Sequence, residues 1–278
     1  MPRPLDAASS AQTLDIARRA RVATVHAVHS GRSSHVGSSL SVTDILAVLY
    51  GRVANITPEN LDDPERDIVV VSKGHAAAGT YSVMTEVGII PEGWLESYSQ
   101  DGTRLGGHVT SSGVPGVELS TGSLGHGLPY GLGMALAARR TGSPRHAFVV
   151  MSDGECDEGT TWESALLAAH HGLENLTVAI DRNGLQSLAS TEETLALEPF
   201  ADKWRAFGWD VHEIDGHDHD ALAAHLGRTP GDSGGRPRVV ICRTTKGKGV
   251  SYMEDKVLWH YKTPDADQVR AAVEELGA

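Results

Sequence analysis

Five short apolar runs, separated by helical patterns, constrain this chain more than any other feature. They are residues 67–72 (DIVVVS), 147–152 (AFVVMS), 176–181 (LTVAID), 209–215 (WDVHEID) and 238–244 (RVVICRT). Runs of this length that are apolar almost throughout fit strands buried on both faces of a parallel sheet. Residues 11–29 carry apolar side chains at Leu14, Ile16, Ala17, Val22 and Val25, a helical spacing. Residues 43–49, the alanine-rich 128–139, 161–171 and an amphipathic 265–276 read as further helices. Strands alternating with helices predict an α/β fold, a parallel sheet flanked by helices with crossover connections. No internal repeat is present, and the linker-like 230–237 (PGDSGGRP) is too short to separate domains. The expectation is one domain over residues 1–278.

Composition narrows the function classes. With 278 residues, 40% of them hydrophobic, the chain can bury one large core. A formal charge of -12 argues against a broad nucleic-acid-binding face. The densest basic pairs, Arg18-Arg19 and Arg139-Arg140, fall inside helical patterns and read as solvated faces. Two cysteines, Cys156 and Cys242, do not make a disulfide scaffold and fit a reducing compartment. Residues 1–20 lack the apolar centre of a signal peptide, and no apolar run approaches the ~18 residues of a membrane span. A cytoplasmic protein without membrane or nucleic-acid partners is expected.

In parallel sheets ligands bind outside the carboxyl ends of the strands. The second run leads into Ser152-Asp153-Gly154, and the third into Arg182-Asn183-Gly184-Leu185. If these strands are neighbours, Asp153 and Asn183, thirty positions apart, reach the same edge. A carboxylate, an amide oxygen and a nearby backbone carbonyl are hard donors suited to Mg2+ or Ca2+. Gly154 would let backbone approach a phosphate, and a helix starting near Thr160 could aim free N–H groups there. Taken singly, Asp153 reads as a helix cap and Asn183 as a turn residue; the pair after consecutive strands favours the metal site. An EF-hand fails because Glu158 and Ser164 stand where glycine and glutamate are needed. The glycines of 244–250 (TTKGKGV) form no P-loop, lacking the closing Gly-Lys-Ser/Thr.

Fourteen histidines are present. Four follow small residues in turn-like sequence: His35 (SSHVGSS), His75 (SKGHAAAG), His108 (LGGHVTS) and His260 (LWHYKTP). Imidazoles at strand exits can donate hydrogen bonds to phosphate or move protons near neutral pH. His170, His171, His217, His219 and His225 read as surface or capping residues. Zinc is disfavoured, with no helical His-x-x-x-His and no Cys-x-x-Cys.

Together these segments, from about residue 13 to 264, resemble the N-terminal, diphosphate-binding (PP) domain of transketolases. The resemblance is closer still to the separate N-terminal subunit of two-chain transketolases. Its most specific piece is the fingerprint of thiamine diphosphate (ThDP) enzymes, Gly-Asp-Gly followed some thirty residues later by Asn. Here it reads Ser152-Asp153-Gly154 with Asn183, serine replacing the first glycine. The resemblance implies that Asp153, Asn183 and the Leu185 carbonyl bind the cation, Mg2+ or Ca2+, and that Gly154 lies against the diphosphate. His35, His75, His108 and His260 match the family's active-site histidines, His75 also contacting the diphosphate. Residues 120–127 (STGSLGHG) match Thr-Gly-Pro-Leu-Gly-Gln-Gly, which places Gly122 and Leu124 at the aminopyrimidine end. Ser123 and His126 depart from that pattern. Glu158 and Glu163 match acidic residues at the family's dimer interface.

The activity so implied is transfer of a two-carbon ketol unit from a ketose to an aldehyde, both sugars or sugar phosphates. In full-length relatives the pyrimidine-binding (Pyr) domain supplies the glutamate that activates ThDP. The chain ends near the close of the first domain, so the resemblance implies a separate C-terminal subunit, Pyr plus C-terminal domains, in an α2β2 heterotetramer. Rival readings are the α-chain of a 2-oxo acid dehydrogenase, a 1-deoxyxylulose-5-phosphate-synthase-like enzyme and a non-catalytic regulatory subunit. Residues 120–127 and the late His260 favour transketolase over the first. The sugar, and whether it belongs to primary or specialised metabolism, stay open.

Overall fold

The structure, a computed structural model, describes residues 8–227 and 231–277. The expected domain limits at residues 1 and 278, and Pro230 of the linker, lie outside the described residues. Five parallel strands, β1 (Ile68–Val71), β2 (Ala147–Ser152), β3 (Leu176–Arg182), β4 (Asp210–Asp215) and β5 (Arg238–Arg243), lie in the order β1-β2-β3-β5-β4. The α/β expectation, with β2 beside β3, is met.

Alternation along the strands decides which layer each side chain enters. Val69, Val71, Phe148, Val150, Ala179, Val240 and Cys242 pack on one face, against helices α1 (Ser10–Ser30), α2 (Val36–Val48) and α3 (Ala77–Glu86). Ile68, Val70, Val149, Met151, Val178, Ile180, Val239 and Ile241 enter the other, with α4 (Gly127–Thr141) and α5 (Gly159–His170). Below these lie the short α6 (Thr191–Thr194) and α7 (Phe200–Ala206), whose Trp204 fills the same core. Helix α8 (His219–Leu226) joins the first layer, and α9 (Ala266–Glu275) closes on α1. Each fully buried aliphatic contributes about 1.5–3 kcal/mol. Exposed ion pairs such as Arg18–Asp15 contribute about 1 kcal/mol at most, so the two apolar layers, not surface charge, hold the fold.

Three expectations change. Strand β4, at one edge of the sheet, is half-exposed, with Glu213 and Asp215 open to solvent. On α1, Leu14 points outward while Ala17 and Val25 are buried. Helix α2 begins at Val36 rather than 43, and every one of its residues is buried. Its serines hid the first half. Thr43 donates to the Ser39 carbonyl at 2.8 Å and Ser41 to buried Asp181 at 2.6 Å, so these two hydroxyls are buried with partners. Among the described residues no helix is long and apolar enough to cross a membrane.

Candidate active site

Strand exits build one cavity, of about 210 Å3, at the carboxyl edge of the sheet. Its lining includes His35, His75, His108, Gly122, Leu124, Asp153, Gly154, Asn183, Leu185 and His260. Every expected cofactor, metal and histidine position therefore meets there. Glu158 and Glu163 do not; both are exposed at the start of α5. The amino end of α5 also contributes no lining residue, because the 3-10 turn Gly154–Asp157 intervenes. Thr160 instead donates to the Gly125 carbonyl at 2.8 Å.

One wall is made of oxygens. Asp153 follows β2 and is 1% exposed. Its Oδ1 accepts from the Gly154 N–H at 2.8 Å, and its Oδ2 from the Gly184 N–H at 2.7 Å and from Arg182 at 3.3 Å. Burial, then the nearby Asp181 charge, pushes its carboxyl up, which is the environment a bound cation would reverse. Asn183 Oδ1 accepts from the Leu185 N–H at 3.1 Å. The Leu185 carbonyl accepts from Lys246 Nζ at 3.1 Å. Carboxylate and carbonyl oxygens each carry two lone pairs, so these hard donors keep capacity for a divalent cation.

The facing wall is made of imidazoles. The His35 ring lies 4.8 Å from His260, 5.4 Å from His75 and 5.5 Å from His108, centroid to centroid. His35 sits at φ 70°, an uncommon conformation for a non-glycine residue, at the start of α2. Its N–H donates to the His260 carbonyl at 2.7 Å, which ties chain segments far apart in sequence. Burial, then the charges of His108 and the lysines, lowers its pKa to about 4. Burial, then Lys246, lowers that of His260 to about 3. His75, heading the turn into α3, is held well below the usual imidazole range by burial and then Lys73. All three are neutral at pH 7 and can both donate and accept. His108 is placed by Tyr81, whose hydroxyl donates to the His108 carbonyl at 3.2 Å and accepts from the Thr110 N–H at 2.8 Å. Gly122, at φ 150°, packs on the His108 ring; a Cβ there would stand 2.9 Å from His108 Cδ2.

Behind both walls lies a polar layer that sequence reasoning missed. Lys73 and Asp181, both fully buried, form an ion pair. Asp181 also accepts from Ser41 at 2.6 Å and from Thr244. Burial works against the charge of Asp181, but Lys73 and these hydroxyls hold its carboxyl low. Buried Glu155 accepts from Ser72 and, at 2.9 Å, from the Gly125 N–H, joining three loops of the cavity. Lys246, lowered to about 8 by burial and then Lys73, donates to the Leu185 and Gln186 carbonyls and sits 3.1 Å from His260 Nδ1. The only signal in sequence was position: Lys73, Glu155 and Lys246 each stand within a few residues of a strand exit. His126 holds Nδ1 near the Ser123 and Leu124 carbonyls, 3.2 and 3.1 Å away, so that nitrogen carries the hydrogen.

Residues 12–278 match the family described as "Transketolase, thiamine diphosphate binding domain". The chain is 45% identical over 248 residues to one subunit of the apulose-4-phosphate transketolase of Actinobacillus succinogenes, covering 89% of each chain. It is 37% identical over 270 residues to "6-deoxy-6-sulfo-D-fructose transketolase subunit SqwG" of Clostridium sp., covering 96% of this chain and 98% of the other. Among solved structures, the transketolase of Leishmania mexicana superposes with a TM-score of 0.86 at 28% identity, over 97% of this chain. That of Campylobacter jejuni gives 0.87 at 25% identity. The chain spans 41% and 43% of those two longer proteins.

Proposed function

Because this chain belongs to the transketolase family, through its ThDP-binding domain, we propose that it is the diphosphate-binding subunit of a two-chain transketolase. On this reading residues 1–278 form one PP domain. A partner chain with the Pyr and C-terminal domains completes the active site, in an α2β2 assembly. The reaction is transfer of a two-carbon ketol unit from a ketose donor to an aldehyde acceptor, with ThDP and Mg2+. The observation that carries it is the meeting of Asp153, Asn183 and Leu185 with four histidines around one cavity. The names of two relatives, both subunits of transketolases, support the partner. Those same names point to a phosphorylated or sulfonated ketose as the first donors to try.

Asp153, Asn183 and the Leu185 carbonyl would hold the cation, and Gly154 and His75 would face the diphosphate. Gly122 and Leu124 would lie at the aminopyrimidine end. When bound, ThDP supplies the nucleophile and electron sink for breaking and remaking a carbon–carbon bond. The chain's own contribution is position and protons. His35, His108 and His260 would hydrogen-bond the substrate's hydroxyls and carbonyl. At neutral pH the Lys246 ammonium has a hydrogen for each of its three acceptors, so His260 Nδ1 accepts and Nε2 carries the proton that can be donated. The buried Lys246 ammonium, bonded to two carbonyls and His260, favours an anionic ligand. Exposed Glu158 and Glu163 would be covered by the second copy.

The test is a ketol-transfer assay with the co-purified partner chain, ThDP and Mg2+, using phosphorylated and sulfonated ketoses. Product that depends on both chains and on ThDP supports the proposal. Decarboxylation of pyruvate or branched 2-oxo acids instead would replace it with a dehydrogenase subunit.

A further inference from the structure

Outside the cavity, on the α1–α2 side of the sheet, lies a second group of buried ionisable residues. Asp44 of α2 is 3% exposed. It accepts from Arg21 Nη1 at 3.0 Å and Nη2 at 2.6 Å, and faces His217 Nδ1 at 2.6 Å and His219 Nε2 at 3.1 Å. Four nitrogen atoms, from three residues, use the four lone-pair directions of a carboxylate. His219 also bonds Thr13 at 2.8 Å, so α1, α2, α8 and the exit of β4 meet here. These histidines had read as surface residues. Among the described residues no group of three or more His, Cys, Asp or Glu side chains could hold a metal ion.

The fifth element reached is the exit of β5. The Thr245 N–H donates to His217 Nε2 at 2.9 Å. A backbone N–H is only a donor, so Nε2 is bare and the hydrogen is on Nδ1, facing Asp44. Gly216 makes this approach possible, since a Cβ there would stand 2.4 Å from Thr244 Cγ2. The residue after Thr245 is Lys246, whose ammonium bonds the Leu185 and Gln186 carbonyls and His260 Nδ1. We propose that His217 is a positioning residue: its Nε2 fixes Thr245, and through it the Lys246 ammonium that sets the tautomer of His260. The catalytic consequence rests on the transketolase reading; the positioning itself does not.

The test is hydrogen–deuterium exchange and imidazole 15N NMR on the full chain with no cofactor added, so its failure leaves the functional reading standing. His217→Asn keeps an amide within reach of Asp44 but not of Thr245. His217→Gln places an amide oxygen near the position of Nε2 and gives up Asp44. In H217N, exchange over residues 244–250 should rise roughly three- to tenfold, the loss of one net hydrogen bond. Exchange in α1 and α2 should stay at the wild-type level, and the His260 signals should move toward a tautomer mixture. H217Q should restore the protection of 244–250. An equal rise in α1, α2 and 244–250, or no rise at all in H217N, would overturn the proposal. Should H217N not fold, H217Q decides: wild-type protection of 244–250 supports it, and lost protection overturns it.

Discussion

The oxygen wall and the imidazole wall of the cavity are built in different ways. The oxygen wall comes from two adjacent strand exits, and most of its hydrogen bonds are made by backbone N–H groups within the wall itself. The imidazole wall draws on residues from His35 to His260, and Lys246 of the buried layer behind both walls reaches His260. A mostly local wall is less sensitive to change elsewhere, although Lys246 also bonds its Leu185 carbonyl, and it fails when its own ligand is lost. A wall assembled from distant segments depends on side chains that never touch the ligand.

Ordered from the largest effect, four substitutions or conditions would break or sharpen that contrast. Asp153→Ala removes the only carboxylate of the oxygen wall and should abolish Mg2+–ThDP uptake by calorimetry with the partner present. Full affinity in that variant would contradict the assigned ligand set. His108→Ala should lower turnover by about 10²–10⁴ while leaving ThDP affinity near wild type. Equal losses in both would erase the distinction between the walls. Lys73→Met leaves Asp181 charged and buried without its partner, at a cost of about 3–5 kcal/mol in chemical denaturation. Adding Asp181→Leu should recover most of that loss, since the unpaired charge is then gone. If the double variant is no better than the single, Lys73 acts through something other than this pair.

The smallest effect is a pH slope. His35 and His260 titrate lower in the folded chain, at about 4 and about 3, than the usual 6.5. Between those values the unfolded chain binds more protons, so stability rises with pH there and falls as pH drops below about 6.5. Melting temperatures between pH 7 and pH 5 should show that fall, and His260→Gln should flatten it. An unchanged slope in the variant would place the acid sensitivity elsewhere.

The same contrast explains what the sequence disclosed. Asp153, Asn183 and the strands that carry them were legible because a buried parallel strand leaves a run such as AFVVMS and its ligand follows at once. His35, His75 and His108 were legible because they stand in small-residue turns, whereas His260 follows Trp259 at the end of a 3-10 turn. Lys73, Asp181 and Asp44 were not, since a charge in sequence gives no sign that its partner is far along the chain. His217 and His219 looked like surface residues for that reason. The first half of α2 was hidden by polar serines at positions the fold buries.

The central claim is that Asp153, Asn183 and the Leu185 carbonyl hold one divalent cation that tethers ThDP. An anomalous difference map from crystals of the two-chain complex grown with ThDP and Mn2+ tests it most directly. One peak at coordinating distance from all three oxygens, with diphosphate on its open side, is the predicted result. A peak away from Asp153, or ThDP bound with no metal at these oxygens, would contradict it.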